Sequence, residues 1–324
     1  MPYSPGQPFL VAAVQRSPAF LDRDATIDRA CAAIAEAAAS GARLVVFPEA
    51  FVPGYPLWVW QIASGRTHDL RALYAELLDQ AVTVPSAATG RLCDAAREAG
   101  VHVAIGMNER NAERSGTSLY NSLLFIGADG EILGVHRKLV PTAGERLVHA
   151  QGDGSSLSVY DTPLGRIAGL ICWENYMPLA RQALYEAGVH VYIAPTWDRG
   201  EPWLSTLRHI AKEGRVYVIG CCSAMRFSDI PERLDFRSTL PVSANGWINP
   251  GDSVVIDPDG KVIAGPLHET QDILLAEVDP QRIMGPRWQL DVAGHYARPD
   301  VLGLVRRGRA RRHPSDDLQT EGAS

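Results

Sequence analysis

The sequence predicts an α/β fold in which two mixed β-sheets each carry helices on the outer face, a four-layer α-β-β-α sandwich. Three observations point to it. Apolar strand-like runs alternate with capped helical stretches up to Gly106, hairpin signals interrupt this pattern in the middle of the chain, and the strand–helix alternation resumes from Pro178.

Phe9 to Val14 reads as a buried strand, Asp24 to Ser40 as an alanine-rich helix started by an aspartate and stopped by Gly41, and Leu44 to Phe47 as the next strand. Ser86 to Ala99 is a second capped helix, ended by Gly100, and Val101 to Gly106 is again strand. Ser122–Ile126 and Glu131–His136 then flank Ala128-Asp129-Gly130, a hairpin turn signal. Leu157–Asp161 and Arg166–Cys172 flank Thr162-Pro163-Leu164-Gly165 in the same manner. Pro178 to Ala187 returns to helix, Val189 to Ala194 to strand, Trp203 to Gly214 to helix and Arg215 to Cys221 to strand. A last hairpin joins Ser253–Ile256 to Lys261–Ala264, and Ile273 to Val278 completes the sheet. Arg226 to Asp252, rich in Pro, Ser, Asp and Asn, is too long for an ordinary connection and is expected to be functional or interfacial. One domain is expected over residues 1–305. The residues from Arg306, a basic run followed by acidic and polar residues, read as a disordered tail, 306–324.

Bulk properties narrow the function. The 324 residues are 46% hydrophobic and 21% charged, enough for a substantial core. A net charge of -6 argues against a nucleic-acid partner. No early apolar run resembles a signal sequence or a membrane span, so a cytoplasmic location is expected, without a membrane partner. The five cysteines include no Cys-x-x-Cys pair and the nine histidines no metal-ligand spacing, so neither a disulfide framework, a metal nor any other cofactor is expected. Cys31, Cys93, Cys221 and Cys222 read as small buried hydrophobes.

Cys172 differs from these. It follows the apolar run Leu170-Ile171 and precedes a helix that opens on Pro178, a strand-to-helix corner where a nucleophile is held at the rim of a sheet. Two other strand exits carry complementary groups: Val45-Val46-Phe47-Pro48 ends on Glu49, and Gly134-Val135-His136-Arg137 ends on Lys138. A thiol, a carboxylate and an ammonium at strand exits make a candidate acyl-transfer site. Each group has an ordinary explanation by itself: Cys172 as a core thiol, Glu49 as the partner of a surface arginine, Lys138 as one more solvated charge.

The order of motifs favours the chemical reading. Gly41 to Pro56, with Glu49 and the ending Gly54-Tyr55-Pro56, resembles the glutamate signature of the nitrilase superfamily of carbon–nitrogen hydrolases. Cys172-Trp173-Glu174-Asn175 with Pro178 and Arg181 resembles its cysteine signature, and His136-Arg137-Lys138 with Pro141-Thr142 and Glu145-Arg146 its lysine segment. Gly294-His295-Tyr296-Ala297-Arg298-Pro299-Asp300 is similar to a further mark of the true nitrilase branch. The resemblance covers roughly residues 8 to 302, with the motifs in order. Ala168 stands where the cysteine signature usually begins with glycine, a methyl expected to tighten the backbone near Cys172.

The resemblance implies a nitrilase that hydrolyses a small-molecule nitrile to carboxylic acid and ammonia through a thioimidate and a thioester on Cys172. Glu49 is then the base, Lys138 stabilises charge with the Trp173 N–H, and Glu145 holds Lys138 and the attacking water. Tyr55 and Trp173 are the expected substrate-binding residues, within a wider aromatic set of Trp58, Trp60, Tyr176 and Trp197. Glu174 belongs to the cysteine motif, though a structural hydrogen bond explains it equally well. A homo-oligomer, dimeric or spiral, is implied too. The rivals are an amidase or carbamoylase on the same scaffold, a cyanide-degrading nitrilase and a catalytically silent scaffold protein.

Overall fold

Side-chain alternation sets the layers. In β1 (Phe9–Gln15), Val11 and Ala13 enter a core shared by two sheets, while Ala12 and Val14 pack outward on helices. The computed structural model describes residues 6–113 and 115–306. β1, β2 (Ala42–Val46) and β3 (His102–Arg110) run parallel in the first sheet, and β4 (Leu119–Ile126) and β5 (Ile132–Arg137) extend it antiparallel.

The second sheet takes β6 (Tyr160–Thr162), β7 (Gly165–Gly169), β8 (Val191–Thr196), β9 (Tyr217–Cys222), β10 (Ala224–Arg226), β11 (Trp247–Ile256) and β12 (Val262–His268). Here β7, β8 and β9 are parallel. The middle hairpins are therefore divided, β4–β5 going to one sheet and β6–β7 to the other.

The strand read as completing the sheet after the last hairpin does something else. β13 (Asp272–Val278) crosses to the first sheet and pairs antiparallel with β1, Phe9 opposite Val278 and Gln15 opposite Asp272. Its Ala276 and Val278 face the shared core and Ile273 the outer one, a pattern that either sheet edge would accept.

Helix α1 (Arg23–Ala39) is capped by Asp22, whose Oδ1 accepts the Ala25 N–H at 2.9 Å; Asp24 lies in the first turn. The helix α2 (Thr67–Gln80) was not anticipated, although Leu70, Leu73, Tyr74 and Leu77 carry helical spacing. α3 (Ala87–Ala99) has the Ser86–Thr89 capping box and a left-handed Gly100, φ +65°. α1 and α3 cover the first sheet. α4 (Pro178–Glu186) and α5 (Glu201–Gly214) cover the second. At about 1.5–3 kcal/mol for each fully buried large apolar side chain, the inter-sheet core can hold strand ends that carry desolvated polar groups.

Several local expectations change. Cys31 and Cys93 are only half-buried, Cys31 at the α1–α3 seam with its thiol donating to the Arg91 carbonyl, whereas Cys221 and Cys222 are buried. Arg226 to Asp252 is partly strand: it begins at the end of β10, makes two 3-10 turns and joins β11 at Trp247. Its Ile230, Leu234, Phe236 and Leu240 pack with Tyr55, Trp58 and Leu77 in a fourth cluster near the strand exits. The Ala168 methyl packs with the α4–α5 core, away from the shared core that holds Cys172. The expected tail beyond Arg306 lies outside the described residues. No helix among those described is long and apolar enough to cross a membrane.

Candidate active site

Glu49, Lys138 and Cys172 arrive from exits of β2, β5 and β7, and the exit of β8 ties them together. Cys172 lies three residues past β7 and opens a 3-10 turn with φ +51°, a conformation uncommon for a residue with a side chain. The thiol is buried. Its Sγ accepts from Thr196 Oγ1 at 3.3 Å, and the next residue, Trp197, donates its backbone N–H to Glu49 Oε2 at 2.8 Å. The Cys172 thiol and the Glu49 carboxylate are thus anchored to adjacent residues.

The other Glu49 oxygen, Oε1, accepts from Lys138 Nζ and Asn121 Nδ2, each at 2.8 Å. Close passage of β3 permits this turn: a Cβ on Gly106 would stand 2.2 Å from the Pro48 carbonyl oxygen. Lys138 Nζ also donates to Glu145 at 2.8 and 3.1 Å, so one ammonium joins two carboxylates. Glu145 is held further by the Tyr55 hydroxyl at 2.8 Å and the Thr142 N–H at 2.9 Å. All three charged side chains are buried.

Electrostatics separates the two carboxylates. Burial raises the Glu49 carboxyl above the usual range despite Lys138, with repulsion from Glu145 adding to the rise. Burial pushes Glu145 up as well, but the Lys138 charge and hydrogen bond and the Thr142 N–H bring it below the usual range. Burial opposes the Lys138 charge, and Glu49, Cys172 and Glu145 together outweigh it and raise the ammonium. Burial, then Glu49, raises the Cys172 thiol. Lys138 and Glu145 therefore form a fixed ion pair, and Glu49 is the carboxyl of the two whose protonated form its surroundings favour.

Tyr55 and Trp173 occupy different surroundings. Tyr55 is buried, its ring stacked on Trp197 at 5.1 Å. Trp173 is 51% exposed, and its indole donates from Nε1 to Asp198 Oδ2 at 2.8 Å. Trp58 is fully buried and packs edge-on against Phe20. Trp60 donates to the Tyr55 hydroxyl oxygen at 3.2 Å, and Tyr176 packs edge-on against Trp173. Sequence reasoning missed Asn121 and Thr196. A buried polar pair, Asn121-Ser122, inside the apolar strand β4 was the available sign of the first. The described residues contain no group of three or more His, Cys, Asp or Glu that could hold a metal ion.

The arrangement agrees with what the chain resembles across its length. The carbon–nitrogen hydrolase family model matches residues 10–285. An aliphatic nitrilase of Sinorhizobium fredii (strain HH103) is 43% identical over 299 residues, covering 92% of this chain and 95% of that protein. The bifunctional nitrilase/nitrile hydratase NIT4B of Nicotiana tabacum is 41% identical over 92% of this chain and 85% of its own. In three dimensions, Saccharomyces cerevisiae Nit3 of the nitrilase superfamily shares the fold, with a TM-score of 0.70 at 23% identity, over 90% of this chain and 97% of that one. The chain belongs to the carbon–nitrogen hydrolase family and, within it, to the nitrilases.

Proposed function

We propose that the protein hydrolyses an organic nitrile to carboxylic acid and ammonia, with Cys172 as nucleophile, Glu49 as proton carrier and Lys138 as the fixed positive charge. The observation that carries this reading is the junction of the Cys172 thiol and the Glu49 carboxylate through Thr196 and Trp197, with Lys138 on the same carboxylate. Glu49 takes the thiol proton as Sγ bonds to the nitrile carbon. One C–N π bond moves onto nitrogen, which receives the proton, and a thioimidate results. Water adds to the thioimidate carbon, the C–N bond breaks and ammonia leaves a thioester. A second water releases the acid and restores the thiol. Lys138 and the Trp173 N–H stabilise charge in the tetrahedral states, and Glu145 holds Lys138 for that task.

Tyr55 and Trp173 are the proposed substrate contacts. Residues 1–305 are read as a single working domain, in the cytoplasm, and as part of a homo-oligomer. Exposed Tyr176 and Leu179 before and within α4, with Trp288 and Tyr296 near the C-terminal end, offer apolar surface that supports such an assembly. The test is product analysis on an aromatic nitrile, an arylacetonitrile, an aliphatic dinitrile, cyanide and a matching amide. Acid and equimolar ammonia from an organic nitrile support the proposal. Turnover of the amide alone moves the protein to the amidase reading, of cyanide alone to the cyanide-degrading one, and no turnover to the silent scaffold.

A further inference from the structure

The two sheets that supply the site share no backbone ladder, yet Cys172 comes from one and Lys138 from the other. Two side chains bridge them at the site, Glu49 through the Trp197 N–H and, beside the nucleophile itself, Glu174. Glu174 Oε2 accepts the N–H of Ile171, the residue before the nucleophile, at 2.7 Å. Its Oε1 accepts the N–H of Leu139, the residue after the catalytic lysine, at 2.6 Å. His136 Nε2, on β5, meets both oxygens at 3.0 and 3.1 Å. The carboxylate is fully desolvated and His136 is buried beside it. Asn175 adds a second clamp on the same turn, donating to the carbonyls of Leu170 at 2.9 Å and Cys172 at 2.7 Å.

We propose that Glu174 is a positioning residue whose single carboxylate, held by His136, fixes the spacing of the Cys172 turn from the Lys138 strand. A carboxylate suits this task because both oxygens only accept. Each peptide N–H is satisfied by its own oxygen, and the imidazole N–H sits between them. Apolar packing between sheets is non-directional, so it holds the layers together without setting this distance to the tolerance that nucleophile and charge require. The inference rests on the nitrilase reading of the site, and it deepens that reading by assigning the one buried acid of the cysteine turn a role apart from proton transfer.

The discriminating variant is Glu174→Gln. The amide keeps one acceptor oxygen and presents an NH2 to the second peptide N–H, so one side of the bridge opens with little change in volume. For folded variant protein the expected result is kcat lower on the order of 100-fold with KM within about threefold of wild type, the pattern of misplaced reacting groups. Cys172 alkylation by iodoacetamide, read by mass spectrometry against Cys31 and Cys93 as internal references, should change far less than kcat. Unchanged kcat in folded Glu174→Gln overturns the proposal. So does a pH profile that loses a limb, because that would make Glu174 a proton carrier. If the glutamine variant fails to fold, Glu174→Asp serves instead: it keeps the charge, and its shorter reach should again lower kcat at constant KM, with wild-type kcat overturning the proposal. Nitrile turnover by the wild type in the same assay separates this outcome from a failure of the nitrilase reading. If the wild type is silent toward nitriles, amide exchange at Ile171 and Leu139 decides: equal protection in wild type and variant overturns the bridge, and faster exchange at these two sites in the variant supports it.

Discussion

Replacing Lys138 by methionine removes the cation between two carboxylates while nearly keeping its bulk. In the native site Nζ lies 2.8 Å from Glu49 and 2.8 and 3.1 Å from the oxygens of Glu145, with all three side chains out of water. Removing one partner of a buried ion pair costs about 3–5 kcal/mol, because the charge left behind has no compensation. Here two carboxylates remain, and protonation is their escape. Lys138 opposes the rise of Glu49 and is the main cause that holds Glu145 down, so both carboxyls rise in the variant. A carboxyl with a raised folded-state pKa binds more protons folded than unfolded. Its stability contribution is therefore lost as pH climbs from the unfolded value of about 4.3 toward the raised one. The variant should come nearest to wild type around pH 5 and fall short by about 3–5 kcal/mol around pH 8. Urea unfolding at the two pH values, followed by tryptophan fluorescence, measures the difference. A loss under about 1 kcal/mol, or an equal loss at both, would refute the claim that this ammonium neutralises buried carboxylates.

Three further perturbations probe the same geometry. Tyr55→Phe deletes the 2.8 Å bond to Glu145, and it should cost about 1 kcal/mol of stability and up to about tenfold in kcat; wild-type values for both in denaturation and steady-state assays would count against the role. Because Glu49 must be ionised to act as base and burial raises its carboxyl, kcat/KM should fall with decreasing pH through a midpoint above the ordinary value of about 4.3. A limb at or below that ordinary value contradicts it. Gly106→Ala places a methyl 2.2 Å from the Pro48 carbonyl oxygen and 2.6 Å from the Ala50 nitrogen. Displacement of the Glu49 turn should cost roughly 3 kcal/mol or more, read as a lower thermal midpoint with loss of kcat, and a wild-type melt would refute it.

Much of this was legible in the sequence because period and punctuation carry local information. The capping residues Ser86 and Gly100, the turn at Asp129-Gly130 and the strand-like runs before Glu49, Lys138 and Cys172 each act over a few residues; the caps and the turn lie where their patterns placed them, while the strand expected to reach Cys172 ends at Gly169. What stayed hidden depended on partners far along the chain. The crossing of β13 to β1 is set by pairing between residues more than two hundred and fifty positions apart, such as Phe9 with Val278. Thr196 and Trp197 lie at a strand exit no different in pattern from others, and their contacts with Cys172 and Glu49 exist only once the sheets stack. Glu174 was visible as part of a motif, but its hold on Leu139 required knowing that β5 passes the cysteine turn. The helix α2 is the opposite case: Leu70, Leu73, Tyr74 and Leu77 carry its spacing locally.

Acid quenching of enzyme mixed with an organic nitrile, followed by peptide mass mapping and set beside product release by Cys172→Ala, asks directly whether Cys172 carries the acyl group. The expected result is an acyl or imidate mass on the peptide carrying Cys172, none on those carrying Cys31, Cys93, Cys221 or Cys222, and no acid or ammonia from the alanine variant. Acid formed by Cys172→Ala at the wild-type rate, or an adduct confined to another cysteine, would contradict it.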